Sequence, residues 1–150
     1  MTKFIGICCF LLTCGFSYSQ DQTIEVKKVV ESLFSAMKDS NEIGILSCFS
    51  PNATMQSVAK DKEGNLTVKS NEVIGFASNV GKLPKGAADE RITFDVVRID
   101  GDMAFVWTPY QLFFNGKFMH CGVDAFVLIK QNGIWKINSL IDTRRTENCN

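Results

Sequence analysis

The chain has 150 residues, with 16 lysine and arginine residues against 16 aspartate and glutamate residues, and 45% of its residues are hydrophobic. This length favours a single domain, and the apolar content is sufficient for one core. Because the charges balance, no net field selects nucleic acid or an anionic membrane surface as a partner.

The N-terminal segment has the pattern of an export signal. Lys3 forms a short basic region, and the apolar run at 4–16 is too short to span a bilayer. Small residues follow at Ser17 and Ser19, where signal peptidase reads the chain. We therefore predict a signal peptide at 1–19, cleavage after Ser19 and a periplasmic or secreted product.

A second processing route is compatible with the same segment. Lipoprotein processing would use Cys14 in the run L-L-T-C-G, but Thr13 fits poorly where that processing prefers a small residue. Cleavage after Ser19 is the favoured alternative. The mature chain, 20–150, is then expected to fold as one domain.

Three cysteines remain in the mature chain: Cys48, Cys121 and Cys149. With an odd number, at most one intramolecular disulfide forms and at least one thiol stays free. The favoured interpretation treats them as small buried hydrophobic residues plus a tail cysteine, although an oxidising compartment permits a bridge. Their spacing does not suggest zinc, and no nucleotide-binding motif is present, so we predict neither metal nor cofactor.

The first part of the chain alternates helical patterns with short strands. An amphipathic helix is predicted over 21–38, capped by Asp21 or Thr23, because apolar residues recur at helical spacing. A second helix is predicted at 42–49, ended by Pro51, and strands follow at 53–59 and 66–69. A third helix is predicted to be capped by Ser70 or Asn71 and to end at Val80. A loop or mobile flap at 81–89 then leads to a strand at 90–100 with a bulge at Val96–Val97.

The C-terminal part predicts a three-stranded antiparallel meander over 102–145. Three runs rich in β-branched and aromatic residues are joined by Asn115-Gly116 and Asn132-Gly133. Asn-Gly supplies the two positive φ values of a type I′ hairpin turn. Helices early in the chain and strands late in it indicate an α+β fold, with a curved sheet wrapped over three helices around a conical cavity.

Regular hairpins would place Gln111 opposite His120 and Trp107 opposite Asp124. The predicted inner face, covered by the helices, then carries Met103, Phe105, Trp107, Phe126, Leu128, Trp135, Ile137 and Ile141, with His120 and Asp124 among them. The predicted outer face carries Ala104, Val106, Thr108, Tyr110, Cys121, Val123, Ala125, Val127, Leu140, Asp142 and Arg144. That outer face is too apolar for a fully wetted surface, which suggests homodimerisation.

One feature weakens this register. Pro109 would lie opposite Gly122, where a bulge is plausible because proline donates nothing to a ladder. A bulge there would leave Asp124 and Trp107 in place, and it could turn Tyr110 inward and His120 outward.

Asp124 and His120 are the candidate catalytic residues. His120 is the only histidine in the chain and would titrate near neutrality as a general base, although a lone histidine is more often structural. Asp124 lies between apolar neighbours that would raise its pKa, unless the indole of Trp107 or the hydroxyl of Ser139 satisfies it. The candidate ligand pocket is formed by Trp107, Tyr110, Phe105, Phe126, Ile141, Phe34 and Met37.

Asp142 and Arg144 are two positions apart and share a face of the last strand. They are interpreted as an ion-pair network at a dimer interface, with an anion-holding rim as the alternative.

The runs V-W-T-P-Y, H-C-G-V-D-A-F, G-I-W-K-I and I-D-T-R-R, together with F-S-P-N-A at 49–53, carry a family resemblance. The chain resembles the nuclear transport factor 2-like superfamily, and within it secreted bacterial proteins with SnoaL-like or lumazine-binding-like domains. The resemblance covers the whole mature chain. It implies a cone-shaped, cystatin-like α+β domain that is often dimeric and has an apolar cavity.

Relatives in that superfamily include ketosteroid isomerases, scytalone dehydratases, polyketide cyclases and members without known activity. The resemblance implies that a cavity Asp or His acts as acid or base, which here points to Asp124 and His120. The chain lacks the second histidine of the dehydratase pattern.

Three functions follow as hypotheses, because this fold hosts many activities. The first is an exported domain that binds a small apolar or aromatic ligand. The second is a cofactor-independent acid–base enzyme of isomerase, cyclase or dehydratase type. The third is a non-catalytic dimeric interaction protein whose cavity is filled by its own side chains.

Overall fold

A computed structural model describes residues 14–149 of the chain, and the side chains of residues 20–149. The described helices are α1 (Cys14–Lys38), α2 (Glu42–Cys48) and α3 (Val73–Gly81). The strands are β1 (Phe49–Lys60), β2 (Leu66–Asn71), β3 (Ala88–Ile92), β4 (Val96–Asp100), β5 (Met103–Phe114), β6 (Lys117–Gln131) and β7 (Ile134–Thr143).

These seven strands form one curved, unclosed sheet in the order β2-β1-β7-β6-β5-β3, with β4 beside β3 on the same edge of β5. The predicted meander β5-β6-β7 and the α+β class are confirmed. The pairing of β1 with β7 was not anticipated. It is parallel, whereas every other pair is antiparallel, and it joins the first hairpin to the meander.

Both Asn-Gly turns adopt the predicted geometry. Asn115 and Gly116 have φ values of 50° and 75°, and Asn132 and Gly133 have values of 52° and 80°. Positive φ at both central positions is the mark of a type I′ turn, and asparagine and glycine tolerate it best.

The register between β5 and β6 differs from the prediction beyond the turn. Phe114 pairs with Lys117 as predicted, but Leu112 pairs with His120 because Met119 forms a bulge. Thr108 therefore lies opposite Asp124, and Trp107 does not. A shift by one residue exchanges the two faces of a strand, so the predicted orientation of β5 is wrong.

A second bulge lies at Asn138, between the pairs Leu128–Ile137 and Val127–Ser139. This bulge exchanges the two faces of the end of β7, as the bulge at Met119 does for β5. Ile141 turns to the outer face, whereas Asp142 turns to the inner face opposite Asp124. The predicted orientations of both residues are therefore wrong.

The two corrections redefine both faces of the sheet. The inner face carries Ala104, Val106, Thr108, Tyr110, Asp124, Phe126, Leu128, Trp135, Ile137, Leu140 and Asp142, all of them buried. The outer face carries Met103, Phe105, Trp107, Val123, Ala125, Val127 and Ile141. The outer face is thus more aromatic than predicted.

Helix α1 covers the inner face through the predicted apolar stripe. Its buried members are Val26, Val30, Leu33, Phe34 and Met37, whereas Ile24 is exposed. The ring of Phe34 meets that of Phe126 edge-on at 6.1 Å, a favourable aromatic geometry.

The start of α1 lies earlier than predicted. The helix already runs from Cys14, so neither Asp21 nor Thr23 caps it. Of the predicted signal peptide, residues 1–13 lie outside the described residues, and only the backbone of 14–19 is described.

The next two helices follow the prediction, but their capping differs. Asn41 caps α2 by accepting a hydrogen bond from the Gly44 backbone N–H at 2.9 Å. Helix α3 begins after Glu72, because Ser70 and Asn71 belong to β2 and do not cap it as predicted. Strand β1 begins at Phe49 and includes Pro51, earlier than the predicted start.

The predicted loop after α3 is tied to the fold at its end. The Gly86 N–H donates to the Lys38 carbonyl at 2.6 Å, and the ammonium of Lys38 lies 2.9 Å from a carboxylate oxygen of Asp89. These contacts direct β3 along β5. The predicted break in the following strand occurs at 93–95, earlier than Val96–Val97.

Among the three cysteines whose side chains the structure describes, two form a bridge and one keeps a free thiol. Cys121 and Cys149 are disulfide-bonded with Cα atoms 5.7 Å apart, and Cys48 is free and buried. The favoured prediction without a bridge is wrong. The bridge holds the C-terminal tail against β6.

Candidate functional site

A cavity of about 460 Å³ lies between α1, α3 and the inner face of the sheet. Its apolar walls come from Leu33, Phe34, Met37, Met55, Phe76, Val80, Leu83, Leu112 and Leu140. Its polar groups come from Asn71, Glu72, Asn79, Glu90, Tyr110, His120, Asp124, Asp142 and Arg144. Apolar walls with a few convergent polar groups are typical of small-molecule sites.

The carboxyl groups of Glu90 on β3 and Asp124 on β6 form a hydrogen bond across β5. Two carboxyl groups can bond in this way only when one of them carries a proton. Burial raises the pKa of Asp124, and the neighbouring Glu90 carboxylate raises it further. Burial also raises the pKa of Glu90, to about 7. The pair therefore holds a proton near neutral pH.

A second pair of polar atoms lies beneath this one. Asp124 Oδ2 and Thr108 Oγ1 are both buried without a hydrogen-bond partner among the described residues, and the two residues are direct cross-strand neighbours. An ionised carboxylate would be costly in this position, which agrees with the raised pKa of Asp124.

Asp142 is held by a separate network on β7 and β1. Arg144 Nε donates to Asp142 Oδ2 at 2.7 Å, and Ser57 Oγ donates to Asp142 Oδ1 at 2.5 Å. Arg144 Nη2 donates to Ser57 Oγ at 2.8 Å, which closes the ring of contacts. The guanidinium thus balances the Asp142 charge at the cavity wall.

Tyr110 links this network to His120. Its hydroxyl donates to the Thr143 carbonyl at 2.9 Å and lies 3.1 Å from His120 Nδ1. Burial, followed by the charge of Arg144, lowers the pKa of His120. The neutral imidazole is therefore favoured near neutral pH.

Gly122 makes this arrangement possible. It lies opposite Tyr110, and a β carbon at this position would collide with the Thr143 carbonyl oxygen. The close approach brings the Thr143 carbonyl within reach of the Tyr110 hydroxyl.

Several predicted site residues line the cavity: Asp124, His120, Tyr110, Phe34 and Met37. The structure does not join His120 to Asp124, because in the described part of the chain His120 bonds with Tyr110 and Asp124 bonds with Glu90. Phe126 lies on the inner face but is fully buried beneath Phe34.

Three predicted pocket residues lie on the outer face: Trp107, Phe105 and Ile141. The register shifts at Met119 and Asn138 cause this correction. They also rule out the predicted bond between Asp124 and the Trp107 indole, because the two side chains are on opposite faces.

Glu90 is the principal residue that sequence reasoning missed. Glu90, Ile92 and Phe94 are spaced by two residues, so in a strand their side chains lie on the same face. Ile92 and Phe94 pack against the core, and this alternation indicates that Glu90 also faces inward. Ser57 was also missed, and no motif marks it. Asp142 and Arg144 were recognised as a pair but were assigned to the outer face.

Within residues 14–149, no group of His, Cys, Asp and Glu side chains has the arrangement needed to hold a metal ion. No helix in the same range is long and apolar enough to cross a membrane.

The sequence matches no protein-family model and no curated protein. Solved structures are similar in fold. An NTF2-like protein of unknown function from Shewanella baltica has a TM-score of 0.63 at 18% identity, covering 87% of this chain and 98% of its own. A second one, from Silicibacter pomeroyi, has a TM-score of 0.64 at 17% identity, covering 85% and 98%.

A domain of unknown function with a cystatin-like fold from Nostoc punctiforme has a TM-score of 0.64 at 16% identity, covering 87% of this chain and 80% of its own. These similarities extend along most of the chain. They show that the chain has the nuclear transport factor 2-like, cystatin-like fold.

Proposed function

We propose that this protein is an exported domain that binds a small, mostly apolar molecule in the cavity between α1, α3 and the sheet. The observation that carries the proposal is the Glu90–Asp124 pair among apolar walls. Placing the buried Asp124 and the half-buried Glu90 together beside open space is costly for stability, which favours a role in binding over a purely structural one.

The chemistry of the pair restricts the ligand. Both carboxyl groups line the cavity, and Glu90 is less buried than Asp124, so Glu90 is the more accessible of the two to a ligand. Because the pKa of Glu90 is about 7, its carboxyl group is present near pH 7 both in the protonated form, which donates to a carbonyl oxygen, and in the ionised form, which accepts from a hydroxyl. The expected ligand is an apolar alcohol or ketone.

Gly75 offers a direct test of cavity binding. It lines the cavity from α3, and a β carbon there meets no atom within 4 Å, so a larger side chain enters open space. Calorimetric titration with 1-decanol should show binding to the wild type and to Gly75→Ala, and at least about tenfold weaker binding to Gly75→Leu. Equal affinity for all three proteins would contradict the proposal.

A second function, acid–base catalysis without a cofactor, is favoured by the pKa of Glu90, raised by burial to about 7. A carboxyl group with this pKa exchanges protons efficiently near neutral pH. In this scheme Glu90 removes a proton from carbon beside a ligand carbonyl, and Asp124 modulates its basicity through their hydrogen bond.

Deuterium exchange into 2-decanone tests this second function without knowledge of the natural substrate. Mass spectrometry in D₂O should show faster exchange at the carbons beside the carbonyl with the wild type than with Glu90→Gln. Calorimetry should show that Glu90→Gln still binds 2-decanone. Equal exchange by both proteins would leave a binding domain without this activity.

We also propose that the outer sheet face mediates homodimerisation. Phe105 and Trp107 are in ring contact at 6.3 Å on this face, and Trp107 is 37% exposed. An apolar surface of this kind is typical of an interface. Sedimentation equilibrium should give a dimer for the wild type and a shift toward monomer for Trp107→Ser; a monomeric wild type would contradict this proposal.

Export is supported by the N-terminal pattern and by the Cys121–Cys149 disulfide, because disulfides persist in oxidising compartments. Cleavage after Ser19 remains the favoured processing route over lipoprotein processing at Cys14. Intact-mass measurement of the protein from the cell envelope distinguishes the two.

A further inference from the structure

A second concavity of about 730 Å³ lies outside the cavity, between the β1–β2 hairpin and the C-terminal tail. We call it the C-terminal groove; it is lined by Val58, Ala59, Lys60, Leu66, His120, Thr143, Arg144, Arg145, Thr146, Glu147 and Asn148. His120 and Arg144 line both the groove and the cavity. These two side chains therefore form the boundary between the two spaces.

The groove has an excess of positive charge. Lys60, Arg144 and Arg145 line it, with Glu147 as the acidic residue. Arg144 is balanced by Asp142, whereas the Arg145 guanidinium donates to the Asn148 carbonyl at 3.2 Å from Nη2. Neither Lys60 nor Arg145 takes part in an ion pair between residues in the described range.

The wall that carries Arg145 is fixed before any ligand arrives. Its backbone pairs with Cys121 through two hydrogen bonds, N–H to carbonyl at 2.8 Å and 2.9 Å. The Cys121–Cys149 disulfide then holds the tail that follows. A preformed wall lowers the entropic cost of binding.

We propose that the C-terminal groove binds the anionic head group of an amphipathic carboxylate whose apolar body occupies the cavity. The head group would contact Arg145 and Lys60, and the chain of the ligand would pass between His120 and Arg144. Arginine presents a planar fork of donors that matches a carboxylate, and lysine adds a point charge. This inference rests on the proposed binding function and adds an anionic head group to the mostly apolar ligand expected there.

The test compares decanoate with 1-decanol, which has the same apolar chain without the charge. Calorimetry should show that Arg145→Gln weakens decanoate binding at least about tenfold and Lys60→Gln weakens it less, since a charge-assisted hydrogen bond is lost. Neither change should alter 1-decanol binding. Lys62→Gln is the matched control, because Lys62 is exposed in the neighbouring turn and does not line the groove.

Three results would overturn the inference, and they differ in what they leave standing. If decanoate and 1-decanol bind equally and Arg145→Gln changes neither affinity, the groove has no role, and cavity binding survives. If decanoate binding depends on Arg145 but is unaffected by Gly75→Leu, the groove is a surface anion site independent of the cavity. If neither molecule binds the wild type, the proposed function fails together with the inference.

Discussion

Glu90 and Asp124 bring their carboxyl groups into hydrogen-bonding contact from strands on opposite sides of β5, beneath a cavity with apolar walls. The contact depends on the loop that ties β3 to Lys38 and on the bulge at Met119 that turns β5. Burial raises the pKa of both groups; Glu90 makes Asp124 still harder to ionise, whereas the hydrogen bond with Asp124 lowers the pKa of Glu90.

Stability should depend on pH through Glu90. Burial raises its pKa from 4.5 to about 7, so between these values the folded chain holds a proton that the unfolded chain has lost. The contribution of Glu90 is therefore fully present below about pH 4.5 and declines as the pH rises to about 7. Denaturant unfolding should show Glu90→Gln gaining about 1–2 kcal/mol relative to the wild type across this window, after allowance for solvent screening.

The comparison with Glu90→Gln is needed because His120 has the opposite effect. Its pKa is lowered by burial and by Arg144, so its contribution to stability decreases as the pH falls through 6.5. Because both proteins contain His120, its contribution cancels when the free energy of unfolding of one is subtracted from that of the other. A difference that does not vary between pH 4.5 and 7 would contradict the raised pKa of Glu90.

His120 gives a clean spectroscopic test because it is the only histidine. Its imidazole should titrate below 6.5 in proton NMR, since burial and the Arg144 guanidinium both disfavour the charged ring. In Arg144→Gln the midpoint should rise, because the positive charge is removed and Asp142 remains. A wild-type midpoint at or above 6.5 would show that the ring is not held as described.

Removal of Arg144 should destabilise the protein through Asp142. Asp142 is buried and relies on Arg144 for a counter-charge. Because the arginine is partly exposed, Arg144→Gln should cost about 1–2 kcal/mol, less than breaking a fully buried pair. Arg98→Gln, on the exposed edge strand β4, should cost less than about 0.5 kcal/mol.

The double variant Arg144→Gln/Asp142→Asn separates the ion pair from general packing effects. Once the buried charge is neutralised, the loss of Arg144 should cost less than it does alone. Strictly additive costs in chemical denaturation would show that the two side chains are not coupled.

The disulfide should contribute measurably to stability. Cys149→Ser is expected to lower the free energy of unfolding by about 2–4 kcal/mol, because Cys121 and Cys149 close a long loop in the unfolded chain. The matched control is Cys48→Ala, which leaves the bridge intact. The Cys48 thiol should resist a thiol-specific reagent in the native protein, since burial shields it and raises its pKa.

Two outcomes would contradict this description of the cysteines. Rapid reaction of two or more thiols in the native oxidised chain 20–150 would show that the bridge is absent. Equal stability of Cys149→Ser and the wild type would show that the bridge does not constrain the chain.

The fold was readable from the sequence because its signals are local. Each Asn-Gly pair supplies the positive φ values that a hairpin turn requires, so it determines the hairpin within a few residues. The apolar stripe of α1 repeats at helical spacing, so it determines the helix in the same local way. The site was less readable because it depends on registers that bulges alter. Met119 and Asn138 have no distinctive residue type, yet the bulge at Met119 exchanges the faces of β5 relative to β6, and the bulge at Asn138 exchanges the faces of the end of β7.

The sequence did provide one warning about the register. Pro109 and Gly122 suggested a bulge that would turn Tyr110 inward, and Tyr110 does point inward. The bulge is at Met119 instead, so it also turns Trp107 outward, which a bulge at Pro109 would not have done. The contact between Glu90 and Asp124 depends on two strand registers, that of β3 against β5 and that of β5 against β6. Nothing in the sequence around either residue indicates the other as its partner.

The most direct test of the central claim is a carbon-13 NMR titration of the side-chain carboxyl carbons of Glu90 and Asp124, assigned with Glu90→Gln and Asp124→Asn. Burial of the pair, together with the Glu90 charge beside Asp124, predicts a Glu90 midpoint near 7 and an Asp124 midpoint well above its ordinary 3.8. Two independent titrations close to 4, as in solvent-exposed carboxyl groups, would contradict it.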